Sequence, residues 1–249
     1  MSSDTDSSPC RDRLLPALLK RDGWPVLGIV VATVAVQLCV FLLPQAYGVS
    51  ARMAIAASLI ITGVWVALAS AIFAAGPRST ISGILRGGSV ADASAVLLVV
   101  LWLSAPEVTF LSAVKLYCIY ASVSLCAIAA ARCASSLRFR YFGAVVGATL
   151  LTILQGGLFW LPGLLEFVPT AHKSAVAAIG LRANPLYGVF SAVADKLEFV
   201  WHYAEVMYRI TPLGEDIAVP PVQWYEPMVV HLVIAGILSA TWLLRTRRA

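Results

Sequence analysis

Long runs of apolar residues dominate the chain, and they follow one another with only short polar gaps between them. Six such runs can be recognised: Pro25 to about Tyr47, about Met53 to Ala75, Val90 to about Ala105, Val108 to Ala131, Tyr141 to Leu165 and about Pro227 to Leu244. An α-helix needs about 20 apolar residues to cross the hydrocarbon core of a bilayer. Because a lipid-exposed backbone must satisfy its hydrogen bonds internally, runs of this length predict helices. The sequence therefore predicts an all-α polytopic membrane protein with six transmembrane helices.

The overall composition agrees with lipid as the main solvent. Of the 249 residues, 60% are hydrophobic and 12% are charged, whereas about 25% of the residues of a soluble domain are charged. The formal net charge of +5 is not arranged as a basic stripe with interleaved aromatic residues, which would be typical of a nucleic-acid interface. We therefore expect the lipid bilayer as a partner and no nucleic acid.

The lysine and arginine residues fall between the apolar runs, mostly in alternate gaps. Six spans that start on the inside place segments 1–24, 76–89, 132–140 and 245–249 in the cytoplasm. These segments contain 12 of the 18 basic residues, the outside segments contain 5, and Lys115 lies within a run. Because cytoplasmic loops retain Lys and Arg, both termini are predicted to be cytoplasmic.

A single membrane domain is predicted to include residues 1–249. Its parts are a cytoplasmic tail with an interfacial helix (1–24), five spans (25–165), an extracytoplasmic segment (166–226) and the last span with a basic tail (227–249). The interfacial helix is expected at 11–22, where leucines stand among charges. The apolar and amphipathic stretches of 166–226 predict short non-spanning helices on the outer side, between spans 5 and 6.

A stripe of polar residues in the outer segment is a candidate metal site. Glu198, His202 and Glu205 recur at helical spacing, between Asp195 and Arg209, and would lie on one helical face. Carboxylate and imidazole groups can ligate a metal ion. The alternative is that these residues form the solvated face of an amphipathic helix.

Two charged residues lie in or beside the apolar runs. Lys115 is about two turns inside the outer end of the fourth run, and Asp92 is near the start of the third. Charges at membrane depth are often functional. The alternative is that Lys115 extends to the interface and Asp92 caps its span at the cytoplasmic end.

Nucleotide-binding and hydrolase motifs are absent from the sequence. It contains no G-x-x-x-x-G-K-[ST] loop, no H-E-x-x-H pair and no G-x-S-x-G turn, which are the signatures of P-loop ATPases, zinc proteases and α/β-hydrolases. The chain is therefore expected to carry no ATPase of its own, and whether it is an enzyme stays open.

Three segments carry a resemblance to a known family. They are the basic segment 11–22 before the first run, Arg78–Ser89 (RSTISGILRGGS) between the second and third, and 166–226, which includes Asn184–Pro185–Leu186–Tyr187. They resemble the elbow helix, the coupling helix and the outer helices, with their Asn-Pro-Leu/Phe-Tyr stretch, of the membrane subunit of ABC-2 type transporters. The layout of nearly the whole chain is similar to that family.

The resemblance implies a function and its partners. It implies the permease subunit of an ATP-driven exporter in a bacterial cytoplasmic (inner) membrane, paired with a second permease subunit as a homo- or heterodimer. ATP would bind to a separate cytoplasmic P-loop ATPase and no cofactor to this chain. The family layout places ATPase coupling at Arg78, Ser82 and Arg86, and a gate at Asn184, Pro185 and Tyr187.

A different class of function also fits the sequence. The chain would then be a non-catalytic membrane subunit of a respiratory or oxygenase-type complex, in which 166–226 contacts partner proteins and Glu198, His202 and Glu205 hold a metal ion. An intramembrane enzyme that acts on lipid is the least supported class, because no polar constellation of nucleophile and base can be identified.

Overall fold

A computed structural model describes residues 10–76, 79–134, 140–193 and 223–247, and these residues form helices joined by short turns. The helices in these ranges are α1 (Cys10–Ala46), α2 (Ala51–Ala75), α3 (Thr80–Ser104), α4 (Phe110–Ala134), α5 (Arg140–Gln155), α6 (Gly157–Glu166), α7 (Thr170–Ala183), α8 (Pro185–Val193) and α9 (Tyr225–Thr246). The all-helical prediction is confirmed for this part of the chain.

Five of these helices, α1 to α4 and α9, are long and apolar enough to cross a membrane. Three of them contain 25 residues, which at 1.5 Å per residue exceeds the ~30 Å of a hydrocarbon core. They coincide with five of the six predicted spans. The chain is therefore a multi-pass membrane protein by the length and composition of its helices.

The long helices run alternately between two ends of a bundle. We call these the Gly76 end, where α2 and α4 finish and α3 begins, and the Ala105 end, where α3 finishes and α4 begins. Asp22 of α1 contacts Ser82 and Arg86 of α3, and the last turns of α9 border the same groove as Arg132 of α4. The start of the first span and the finish of α9 therefore lie together at the Gly76 end.

Small residues allow the central helices α2, α3 and α4 to pack closely. The position of a Cβ on Gly87 would lie 2.6 Å from Ile128 Cγ1 and 2.9 Å from the Ser70 carbonyl oxygen. The hydroxyls of Ser70 and Ser124 are 2.9 Å apart and buried. Close approach at small residues and hydrogen bonds between hydroxyls are the ordinary means by which membrane helices associate. They build the core against which the other helices pack.

Two helices at the Gly76 end are longer than the sequence pattern predicted. The interfacial helix expected at 11–22 is continuous with the first span in α1. The segment expected as a cytoplasmic loop at 76–89 is helical from Thr80, where α3 begins. The small residues Ser82, Gly83 and Gly87 are buried there, so this stretch extends the third span instead of forming a separate helix.

Two helices are interrupted between Arg140 and Val193. The fifth predicted span, Tyr141 to Leu165, divides at Gly156 into α5 and α6. Next, α7 and α8 meet at Asn184 with a bend of 78°. Two short helices, α7 and α8, thus lie where non-spanning helices were expected, but together they are also long and apolar enough to form one broken span. Residues 194–222 lie outside the described part of the chain.

Candidate functional site

The two helix interruptions meet inside the bundle. The side-chain amide of Asn184, between α7 and α8, donates a hydrogen bond of 3.0 Å to the carbonyl oxygen of Gln155, the last residue of α5. Carbonyls at the finish of a helix have no partner within the helix. The side chain at the second interruption therefore provides a hydrogen-bond donor for a free carbonyl at the first. We call this region, with its residues Gly63, Gln155 and Asn184, the junction.

Asn184 also starts α8. Its side-chain oxygen accepts hydrogen bonds from the backbone amides of Leu186 (2.9 Å) and Tyr187 (3.4 Å). Asparagine is a preferred N-cap, and proline is favoured at the first helical position, which Pro185 occupies. The Asn-Pro-Leu-Tyr sequence is thus a helix start, and Asn184 is 1% exposed. The residues predicted as a gate, Asn184, Pro185 and Tyr187, are brought together and buried at this bend.

Gln155 attaches the junction to α2. Its amide nitrogen donates a hydrogen bond of 3.1 Å to the carbonyl oxygen of Gly63, midway along that helix. Its side-chain oxygen is buried and has no hydrogen-bond partner among the described residues. An unsatisfied buried acceptor costs free energy, and it is a ready partner for a water molecule or a polar group that enters the junction.

Glycines let α8 approach its neighbours closely. A Cβ on Gly188 would lie 3.1 Å from Pro227 Cγ and 3.2 Å from the Trp224 carbonyl oxygen, at the start of α9. A Cβ on Gly63 would lie 3.1 Å from Leu186 Cδ2. The short helix α8 therefore packs between α2, α4 and α9, where Tyr120 of α4 is fully buried.

An ion pair connects α7 to the start of α9. Arg182 Nε is 2.7 Å from a carboxylate oxygen of Glu226, and both side chains are partly exposed. The next polar residue of α9, His231, is fully buried, and its Nδ1 donates to the Pro227 carbonyl oxygen at 2.7 Å. Its Nε2 has no hydrogen-bond partner in the ranges that the structure describes. Glu226 thus connects the start of α9 to α7, and His231 is buried a little more than one turn further along α9.

The burial of the two helix interruptions has a physical reason. Non-helical backbone at membrane depth is tolerated only where protein buries it or where it lines a cavity. At the junction protein side chains bury it, and Asn184 lies at the bend between α7 and α8. Most residues of α8 are buried as well, so that apolar packing holds this helix in addition to the polar contacts.

Two of the predicted coupling residues take part in a different contact. Ser82 Oγ donates to Asp22 Oδ1 at 2.6 Å, and Arg86 Nη2 donates to the same oxygen at 2.8 Å. Ser82 is 2% exposed. Ser82 and Arg86 therefore join α3 to α1 inside the protein, and we call this contact the α1–α3 latch. Arg78 lies outside the described residues.

Asp92 lies midway along α3, so the expectation that it caps the start of this helix was wrong. It is exposed on the side of the helix and accepts a hydrogen bond of 2.8 Å from the Tyr117 hydroxyl of α4. The amine of Lys115 is 5.8 Å from the centre of the Trp224 ring. A cation in this position is attracted by the face of the ring, which holds Lys115 close to the start of α9.

The predicted metal ligands Glu198, His202 and Glu205 lie outside the described residues. Within the described ranges no group of three or more His, Cys, Asp or Glu side chains is close enough to hold a metal ion. The metal prediction therefore stays a prediction.

Gln155 is the junction residue that the sequence analysis did not identify as a candidate. The signal was present, since Gln155–Gly156–Gly157 places one polar and two flexible residues inside an apolar run. That pattern marks an interrupted helix when the run is otherwise long enough to span. The partner of Gln155 could not be inferred, because Asn184 and Gly63 are distant in the sequence.

Comparison with known proteins gives no relative for this chain. No family model matches the sequence, and neither a curated protein nor a solved structure matches it.

Proposed function

We propose that this chain is the membrane subunit of an ATP-driven exporter of the ABC-2 type, which forms a transport pathway and works with a separate P-loop ATPase. The observation that carries the transport role is the meeting of two interrupted helices at the Asn184–Gln155 hydrogen bond. Interrupted helices near the middle of a membrane are typical of transport proteins, because they place polar backbone and a pivot where a solute must pass.

The bent pair α7–α8 is the moving gate in this proposal. It is pivoted at Asn184 and held by the Arg182–Glu226 ion pair of 2.7 Å. It also packs against glycines in α2 and at its own Gly188. Its displacement would break these polar contacts and separate the buried residues of α8 from their apolar neighbours. It would also expose Gln155, whose buried oxygen would then face the pathway.

Energy would enter at the Gly76 end, which is cytoplasmic in the proposed orientation. The loop 76–79 is the connection between α2 and α3 there, and the α1–α3 latch lies next to it. An ATPase that moves this loop would act on α2 and α3 together. Because Gln155 is hydrogen-bonded to Gly63 of α2, a movement of α2 would be transmitted to the junction.

Co-purification tests the proposal. The tagged full-length chain, extracted in mild detergent from its native membrane, is expected to bring down one P-loop ATPase in stoichiometric amount. The variant Arg78→Ala is expected to reduce this capture severalfold, whereas Arg52→Ala, at the opposite end of the bundle, is expected to leave it unchanged. Reproducible absence of an ATPase from the wild-type preparation would sink the assignment.

The metal-holding alternative has its own measurement. Metal analysis of the purified chain, with His202→Ala as the control, would favour a subunit of a respiratory or oxygenase-type complex if the wild type retained a stoichiometric ion that the variant lacked. Our proposal predicts no such difference between the two proteins.

A further inference from the structure

A carboxyl group is exposed halfway along α3. Asp92 is the thirteenth of the 25 residues of this helix, so about 18 Å of helix lies on either side of it at 1.5 Å per residue. The hydrocarbon core of a bilayer is about 30 Å thick. Because α3 is long and apolar enough to cross a membrane, a span centred on the bilayer places Asp92 close to the midplane.

The described residues provide Asp92 with a hydroxyl as its polar partner and with no cation. The Tyr117 hydroxyl of α4 donates a hydrogen bond of 2.8 Å to Oδ1, and none of the ion pairs between described residues includes Asp92. A carboxyl group at membrane depth is costly unless it is paired or lines a water-filled cavity. The second oxygen of Asp92 therefore lacks a complement within the part of the chain that the structure describes.

Asp92 belongs to a continuous face of α3 that its own bundle leaves uncovered. Residues at steps of three and four lie on the same side of a helix, which here are Leu85, Gly88, Asp92, Val96 and Val99. The three apolar side chains are exposed, and a Cβ on Gly88 would meet nothing within 4 Å. Membrane helices associate where a small residue permits close approach and a polar side chain bonds across the contact. Gly88 and Asp92, about one turn apart, provide both features.

We propose that this face of α3 binds a membrane-spanning helix of a different polypeptide, and that a lysine or arginine near the middle of that helix pairs with Asp92. The Tyr117 hydroxyl holds one oxygen of the carboxylate, and the partner's cation contacts the other. Gly88 gives room for the partner's backbone, and Val96 and Val99 pack against its apolar side chains.

A second copy of this chain is a poor complement for Asp92. The spanning part of α1, Asp22–Ala46, contains no basic residue. In α2, α3, α4 and α9 every basic residue lies within two turns of a helix end, and these residues are Arg52, Arg86, Lys115, Arg132 and Arg245. The described spans therefore present no cation at the depth of Asp92. In an exporter of the proposed type the partner is a second permease subunit of different sequence, but the pairing with a basic helix does not depend on the transport function.

Photocross-linking of the full-length chain in its native membrane tests the proposal. The photoreactive residue p-benzoylphenylalanine replaces Val96, one turn from Asp92, or Ile237, which is exposed on α9 and serves as the control position. The Val96 adduct is expected to contain a peptide of another polypeptide, with Lys or Arg near the middle of its apolar segment, that is absent from the Ile237 adducts. Adducts with lipid alone, with a second copy, with another segment of this chain or with a helix that lacks such a basic residue overturn the proposal.

The charge of Asp92 is tested by two variants that carry the same probe at position 96. Asp92→Asn keeps an acceptor for Tyr117 but loses the charge, and it is expected to lower the cross-link yield about tenfold, the effect of one polar contact between membrane helices. Tyr117→Phe removes the hydrogen bond within the chain and is expected to leave most of the yield.

Charge reversal completes this series. Asp92→Lys, combined with aspartate in place of the partner's basic residue, is expected to restore the yield. Equal yields for Asp92→Asn and Tyr117→Phe would show that Asp92 serves only the bond between α3 and α4, and would overturn the pairing. Should a variant fail to fold, the identity of the peptide cross-linked at position 96 of the otherwise unchanged chain decides alone.

Discussion

At the scale of single residues, Asn184 has the largest structural consequence. One side chain caps α8 through its oxygen and satisfies the finish of α5 through its nitrogen. An apolar residue would leave two sets of buried backbone groups without partners, and such groups are costly in a medium that contains no water. The Asn-Pro pair is therefore a local signal for the start of a helix. In this protein its asparagine also binds a residue that is distant in the sequence, Gln155.

Substitution of Asn184 separates these two roles. Asn184→Ala is expected to destabilise the protein by about 2 kcal/mol, because it loses an N-cap and a further buried hydrogen bond. Asn184→Ser keeps a capping oxygen and is expected to recover about half of that loss. Reversible unfolding in mixed micelles titrated with dodecyl sulfate provides the measurement.

A second N-cap serves as the control for this series. Ser50 caps α2 through an exposed bond of 3.4 Å to the Met53 amide, so Ser50→Ala is expected to cost well under 1 kcal/mol. Equal losses for Ser50→Ala and Asn184→Ala would mean that Asn184 does no more than cap a helix.

At the scale of elements, the α1–α3 latch tests how the Gly76 end is held together. The Asp22 side chain is 3% exposed and that of Arg86 26%, so the pair lies between the exposed and the buried cases. Asp22→Asn is expected to lower the free energy of unfolding by about 2 kcal/mol, a value between those of exposed and of buried ion pairs. Asp22→Asn combined with Arg86→Gln is expected to cost less than the sum of the single changes. Additive losses in this double-mutant cycle would show that the two charges do not interact.

The packing of α8 is a second test at this scale. Gly188→Ala places a methyl group 3.2 Å from the Trp224 carbonyl oxygen, which belongs to the backbone and cannot turn aside. We expect a loss of about 1–3 kcal/mol from overpacking. Gly28→Ala, which meets nothing within 4 Å, is expected to be neutral or slightly stabilising, since alanine favours the helix. An unaffected Gly188→Ala protein would show that α8 is not packed tightly against α9.

At the scale of the whole molecule, the sequence predicted the parts that follow from local pattern. Apolar runs of spanning length became α1 to α4 and α9. The boundary of α3 was placed ten residues too late, because Ser82, Gly83 and Gly87 read as loop residues although they are buried in a helix contact. Their burial depends on α1 and α4, and no local pattern contains that information.

The candidate site was predicted only in part, for the same reason. Asn184, Pro185 and Tyr187 were found through a short local phrase, and all three lie at the bend. Gln155 and Gly63 were missed, because their contact joins residues 92 positions apart. Ser82 and Arg86 were predicted as ATPase-coupling residues, and that role stays a prediction; their contact with Asp22 was not foreseen, because Asp22 is 60 or more positions away.

The orientation of the whole molecule is predicted by its basic residues. Single cysteines at Val49 and Pro106, in a chain without its five native cysteines, are expected to react with a membrane-impermeant maleimide on intact cells. A cysteine at Thr246 is expected to react only after the membrane is permeabilised. The opposite labelling pattern would place the Gly76 end outside and remove the basis for an ATPase partner.

The central claim is that α7–α8 moves as a gate when a partner ATPase turns over, and one cross-linking experiment tests it most directly. The changes Arg182→Cys and Glu226→Cys replace the ion pair between α7 and α9 in the cysteine-free chain, within the assembled complex. A short bifunctional thiol reagent is expected to link them in the resting state and severalfold less during ATP turnover. The control pair, Arg52→Cys and Glu107→Cys, replaces the other Arg–Glu contact at the Ala105 end and is expected to cross-link equally in both states. An unchanged yield at 182 and 226, or an equal change in both pairs, would contradict the account.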